Sequence, residues 1–201
     1  MTNLFQKLEI EAFRAGITPR TKESRDWFRK KINELRGTDL RRINRNSLMK
    51  DESLSLSERQ VIGSMYMFFY DPKHKKTLPY YDSFPLVIVL DRAEGGFLGL
   101  NLHYLPPVLR ARFLDSLMET TNNNKFDETT KFKITYERLK AASNLKYFKP
   151  CIKHYLTDHV RSRFAKVDAP EWEIATFLPT ASWQKSTGAK VYTASRKKLN
   201  A

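Results

Sequence analysis

The chain is 201 residues long, 41% hydrophobic and 29% charged, with a formal charge of +14 at neutral pH. That length suits one domain with arms, and that much apolar content argues against a disordered chain. A single cysteine excludes an intramolecular disulfide framework, and no apolar run reaches the ~18 residues a membrane-spanning helix needs.

The charge is unevenly placed. Residues 1–50 carry 13 Lys and Arg against 6 Asp and Glu, a balance of +7. Residues 51–124 carry 7 against 9, or −2, and residues 125–201 carry 16 against 7, or +9. Excess charge of one sign repels itself, so the basic flanks point to a polyanionic partner or to acidic protein neighbours. The opening "MTNLFQKLEIEAF" has acidic residues and no apolar signal core, which predicts a soluble protein in a reducing compartment.

In chain order, Leu4, Phe5 and Leu8, joined by Phe13, recur at helical spacing, and Gly16 suits the C-cap. A second helix follows in "TPRTKESRDWFRKKINELRG". Thr21 or Ser24 caps it, Trp27, Phe28, Lys31, Ile32 and Leu35 share one side, and Gly37 ends it. Its other side shows Arg25, Arg29, Lys30 and Arg36, and the looser segment beyond carries Arg41, Arg42 and Arg45. Residues 1–60 read as a basic helical arm that extends from the core and docks on a partner. Residues 61–180 read as the α+β core domain, and 181–201 as a basic tail bearing Arg196, Lys197 and Lys198.

The middle, "MYMFFYDPKHKKTLPYYDSFPLVIVLD", is aromatic and β-favouring around a knot of lysines. "DPKHKKTLP" is turn chemistry, "FPLVIVLD" suits a strand covered on both faces, and "RAEGG" suits a hairpin turn. "FLGLNLHY" alternates between two faces. These strands predict an α+β fold. Its heart is a small antiparallel SH3-like meander or barrel over about residues 64–105, with a late strand near 171–178 in "APEWEIATFLP". Val87, Ile88 and Leu100 are expected to be wholly buried.

Pro106 and Pro107 suit the first turn of a helix with a stripe of Leu109, Phe113, Leu117 and Met118, ended by Asn122–Asn124. Residues 135–142 read as helical again. After Pro150, Ile152, Leu156, Val160 and Phe164 fall four apart, which predicts another helix, with Lys153, Thr157 and Arg161 on a second stripe. On that helix Lys149, Lys153, Arg161, Arg163 and Lys166 would gather into one cationic patch for phosphates.

No catalytic constellation emerges, so the chain reads as non-enzymatic, with no cofactor, metal or small-molecule substrate. Cys151, His154 and Asp158 would lie along one helix and not converge, and Cys151, His154 and His159 lack a fourth metal ligand. Asp168, Glu171 and Glu173 lack the lysine of a metal-dependent nuclease, and "EGGFLG" fits no phosphate loop. His103 reads as a hydrogen-bonded core histidine. Zinc-finger and RNP signatures are absent, so any nucleic-acid contact would be non-specific. Tyr147, Phe148, Tyr155 and Trp183 are candidates for stacking on terminal bases.

Four stretches carry a resemblance: "YDPKHKKTLPYYDSFPLVIVLD", "GGFLGLNLHYLPPVLRARFLDSL", "FKPCIKHYLTDHVRSRF" and "PEWEIATFLP". Over residues 60–180 the chain resembles a family of virion proteins from large contractile-tailed bacteriophages, of the DNA end protector or head-completion kind. The resemblance implies a late virion component, present in the host cytoplasm during assembly. Its partners would be the end of packaged duplex DNA, bound without sequence preference, and other virion proteins. The alternative is a structural adaptor of neck, tail or baseplate whose basic arms contact neighbouring proteins. The resemblance carries over no catalytic residue.

Overall fold

The computed structural model describes residues 4–19, 21–35, 45–50, 54–121, 135, 137, 138, 141, 146–168 and 172–200. The fold is α+β. Helices α1 (Leu4–Arg14), α2 (Lys22–Leu35) and α3 (Arg45–Met49) precede strands β1 (Ser55–Ser57), β2 (Met65–Met67), β3 (Tyr81–Asp82), β4 (Leu86–Ala93) and β5 (Gly96–Asn101). Helix α4 (Pro107–Thr121), β6 (Ile152–Leu156), β7 (Phe164–Val167), α5 (Trp172–Phe177), β8 (Trp183–Gln184) and α6 (Gly188–Asn200) follow. Six strands form one antiparallel sheet in the order β1-β7-β2-β4-β5-β6, and β3 pairs with β8 in a second, two-stranded one.

The expected meander is present as β2, β4 and β5. Its closing strand is Phe164–Val167, not a segment near 171–178. "WEIATF" forms α5 instead, with all six of its residues buried and Glu173 bonded to Ser24 of α2. The helix expected after Pro150 is likewise absent. A 3-10 turn over Lys146–Cys151, strand β6, a second 3-10 turn over Thr157–His159, and β7 replace it. The four-residue spacing there is met by residues in different elements. Tyr155 and Phe164 face the sheet's aromatic heart, whereas Ile152 packs on the other core cluster.

The sheet bends around that heart without closing into a barrel. β6 and β7 lie far apart in the strand order, yet Tyr155 and Phe164 both reach Phe68, at ring-centroid distances of 5.4 and 5.1 Å. Phe97 stacks on Tyr155 at 5.4 Å. Beyond β2, Tyr70 bridges to Val160, and the Tyr70 hydroxyl accepts the Leu156 N–H. No continuous ladder joins the edge strands β1 and β6. The other face of the sheet, with Met65, Met67, Leu86, Ile88 and Leu100, packs under the helices. Val87, Ile88 and Leu100 are fully buried, as expected of β4 and β5, and each such side chain contributes about 1.5–3 kcal/mol by leaving water.

Two glycines show why β5 and its turn carry no side chain. Gly95 takes φ +67° in the hairpin turn. At Gly96, a Cβ would sit 1.9 Å from the Tyr155 carbonyl oxygen, so β6 approaches only because that atom is missing.

The first sixty residues are docked wherever they are described. Phe5, Leu8, Phe28 and Ile32 join the same buried cluster as the sheet. Thr21 and Ser24 form a reciprocal cap on α2, in which each side-chain oxygen accepts the other's backbone N–H, at 3.1 and 3.0 Å. The Ser24 hydroxyl then donates to the buried Glu173 carboxylate of α5, 2.8 Å away, and Arg25 lies 3.5 Å from the same group. Gly37 and the Asn122–Asn124 run fall outside the described residues. In α4, Phe113, Leu114 and Leu117 face the core while Leu109 is exposed, so the inward stripe turns at Leu114 rather than at Leu109.

Candidate functional site

The lysine knot of the middle segment borders a cleft. Pro72 and Pro79 bound a loop closed by backbone bonds from Lys75 to Pro72, and from Thr77 and Leu78 to His74. Lys185 fastens it. Its ammonium donates to the carbonyls of Lys75, Lys76 and Leu78 at 2.6, 2.9 and 3.1 Å, and its backbone takes φ +62°, unusual for a residue with a Cβ. The loop leans over β6 and leaves a cleft of about 420 Å³. Tyr70, Tyr80, Tyr81, Tyr104 and Tyr155 line it, with Lys73, His74, Lys153 and His154 among its polar groups.

The tyrosines differ in access. Tyr155 and Tyr104 are only 3% and 5% exposed, and burial raises the pKa of both phenols. Lys153 places its ammonium 4.2 Å from the Tyr104 ring centre, and Trp183 meets the same ring edge-on at 4.8 Å. Tyr80 and Tyr81 are half-buried. Tyr80 packs beside the pair of Tyr104 and Trp183, 6.2 Å from Tyr104 and 6.5 Å from Trp183, and burial raises its pKa too. The phenols of Tyr80, Tyr104 and Tyr155 are therefore neutral at physiological pH.

A second hollow of about 330 Å³ shares Tyr70 and Tyr81 with the cleft and adds Phe69, Asp71, Ser83 and Arg161. Cleft and hollow thus adjoin at Tyr70 and Tyr81, with Lys153 lining the first and Arg161 the second, and the two together make up the trough. Asp71 is the acidic group of the hollow. The Lys75 ammonium, 2.9 Å away, holds its pKa below the ordinary range, and Arg161 approaches it at 3.9 Å. The trough is therefore cationic and aromatic.

Beneath the cleft lies a buried network. His103 Nδ1 is 2.6 Å from Asp82, and Nε2 is 3.1 Å from the Thr180 hydroxyl. The order resembles a nucleophile relay, but Thr180 and His103 are wholly buried, so no substrate reaches the hydroxyl. Burial opposes charge on both partners. Asp82 stays ionised even so, because His103 and the N–H groups of Ser182 and Phe84 donate to it and hold its pKa below 3.8. Burial outweighs Asp82 at His103 and lowers its pKa below 6.5, so the ring is neutral at pH 7. It then donates from Nδ1 and accepts from Thr180 at Nε2, which makes His103 the satisfied core histidine expected from the sequence.

The other expected site residues scatter. Arg29 and Lys30 are exposed on α2, with Arg29 paired to Asp26 at 2.8 Å. Arg41 and Arg42 lie outside the described residues. Arg45 donates to the Thr180 and Ala181 carbonyls at 2.8 and 2.7 Å, which tethers α3 to the segment before β8. Lys149 and Arg163 are exposed, Arg163 lying 3.9 Å from Glu58, and Lys166 on β7 pairs with Asp168 at 2.9 Å. The single helix that was to gather Lys149, Lys153, Arg161, Arg163 and Lys166 does not exist, but Lys153 and Arg161 do meet one trough. Arg196 and Lys197 are exposed on α6, and the Lys198 side chain lies outside the described part.

Of the expected stacking residues, Tyr155 is core and Phe148 packs on Phe113 at 5.0 Å. Trp183 buttresses the cleft, and the Tyr147 side chain lies outside the described part. Tyr80 and Tyr81 were missed, although "PYYD" beside "KHKK" carried the signal of aromatics next to lysines. Cys151 is buried, and its thiol is pushed up to about 12, so it stays protonated and unreactive. Among the described residues no three His, Cys, Asp or Glu groups are placed to hold a metal, and no described helix is long and apolar enough to cross a membrane.

No characterised protein and no solved structure matches the chain. One family model matches residues 2–200, nearly the whole length, and is described as the phage T4 terminal DNA protecting protein. With that coverage, reaching through the N-terminal helices that the sequence resemblance left out, the chain belongs to the phage T4 terminal DNA protecting protein family.

Proposed function

We propose that this protein binds the ends of duplex DNA without sequence preference, in the phage particle and in the host cytoplasm during assembly, and blocks exonucleases by occupying the terminus. The observation that carries this reading is the family match across residues 2–200. The trough supports it physically. Lys73, Lys153 and Arg161 border it and offer cations to phosphates, a contact that carries no base information. Head completion follows if a protein seated on the packaged end also meets its virion neighbours.

Competition between linear and covalently closed circular duplex of one length and sequence tests this. Labelled linear DNA should be displaced by unlabelled linear DNA, and far less by the circle. Equal competition per base pair would remove the end from the account. No binding to either form, with loss of particle assembly in a mutant of the basic surface, would favour the adaptor reading.

A further inference from the structure

We propose that the tyrosine cleft receives the unpaired terminal nucleotide of a DNA end, with its base laid on Tyr80 and its phosphate between Lys73 and Lys153. This rests on the reading above and adds what that reading lacks, a reason for the protein to distinguish an end from the middle of a duplex. Lysines around a surface grip phosphates anywhere along DNA. Only a terminus readily releases a nucleotide from its stack, since unpairing there disrupts one stacking step instead of two.

The dimensions suit one nucleotide. At about 420 Å³ the cleft lies within the range of about 300–1,000 Å³ typical of small-ligand sites, and it cannot admit a stacked duplex. The chemistry suits a base. Tyr104 is covered by Lys153 and Trp183, whereas Tyr80 is half-buried and braced from one side by the Tyr104 and Trp183 rings. A ring fixed in that way loses little freedom when a base stacks on it. Lys73 and His74 are exposed on the rim. Asp82 and Asn101 are already satisfied. Asp82 accepts from the Ser182 and Phe84 N–H groups, and Asn101 donates to Tyr155 at 3.1 Å. These two side chains therefore add no free base-selecting group to the aromatic faces of the cleft.

The test uses the full chain and duplexes carrying 2-aminopurine either at an unpaired 3′ or 5′ terminal position or at an internal position. Wild type should change the fluorescence of the terminal probe and leave the internal one unchanged. Tyr80→Ala should abolish that change and weaken end binding about 5- to 150-fold, whereas Tyr80→Phe should retain both. Melting curves show whether Tyr80→Ala is folded; if it is not, the wild-type response and the Lys73→Glu variant, which should weaken terminal binding, decide. If wild type prefers linear to circular DNA yet never perturbs the terminal probe, the cleft proposal falls and end binding stands. If wild type does not prefer linear DNA, both fall. A proline-rich peptide that quenches the cleft tyrosines where DNA ends do not would assign the cleft to a peptide and overturn the proposal.

Discussion

His103 shows how a single residue was readable and why. A histidine on an apolar strand pattern, far from any second candidate ligand, is cheapest when both ring nitrogens are bonded, and the fold supplies Asp82 and Thr180 for that purpose. The partners themselves were not readable, because they come from residues 21 and 77 positions away in the chain. The network has a pH consequence. The folded pKa of His103 lies below its unfolded value of 6.5, so the unfolded chain binds the extra proton first as pH falls. Stability is full above about pH 6.5 and declines as pH drops toward the folded value. Asp82, also lowered, adds a second loss below about 3.8. Wild type should therefore melt at progressively lower temperature between pH 7 and pH 5. His103→Gln should be less stable at pH 7 and flatter over that window. A wild-type melting temperature that is constant from pH 7 to pH 5 would show that the ring is not held neutral.

Strands with continuous or alternating apolar residues were legible at the scale of elements. β4 and β5 have the burial their patterns required, and the reciprocal cap of α2 was written in Thr21 and Ser24. Two elements were misread for one reason. Ile152, Leu156, Val160 and Phe164 mimic a helical stripe, and "WEIATF" mimics a strand, because short apolar runs fit either period. Tertiary context decided both. β5 has an open edge that accepts Ile152–Leu156, and α2 offers Ser24 and Arg25 to Glu173 of α5. The lysine loop borders the cleft proposed for the DNA end, and Lys185 holds it by three carbonyls. Lys185→Ala should loosen that loop and weaken DNA binding about three- to tenfold, the size of one charge-assisted hydrogen bond at an exposed site. The melting temperature should move by less than about 4 °C, because the core does not use this side chain. Unchanged DNA affinity measured by anisotropy would mean that the loop's position does not matter for binding.

For the whole molecule, the charge asymmetry suggested that function sits in the basic flanks. The trough takes most of its aromatics from the near-neutral middle and two of its cations, Lys153 and Arg161, from the basic C-terminal flank. Composition averages over a segment and conceals a local knot such as "KHKK" when acidic residues elsewhere cancel it. Lys153 and Arg161 do not share a helix face. They share a trough through the bend between β6 and β7. Each contacts a phosphate in this account, and log affinity falls with log salt by about 0.9 per contact. The most direct measurement is exonuclease digestion of end-labelled linear duplex, over a salt series, with wild type and with the folded Lys153→Glu/Arg161→Glu double variant. Wild type should shield the ends whatever their sequence. The variant should lose protection, with a salt dependence of binding shallower by about two units. A double variant that melts like wild type, protects ends equally well and keeps the same salt slope would contradict the assignment of this trough to DNA.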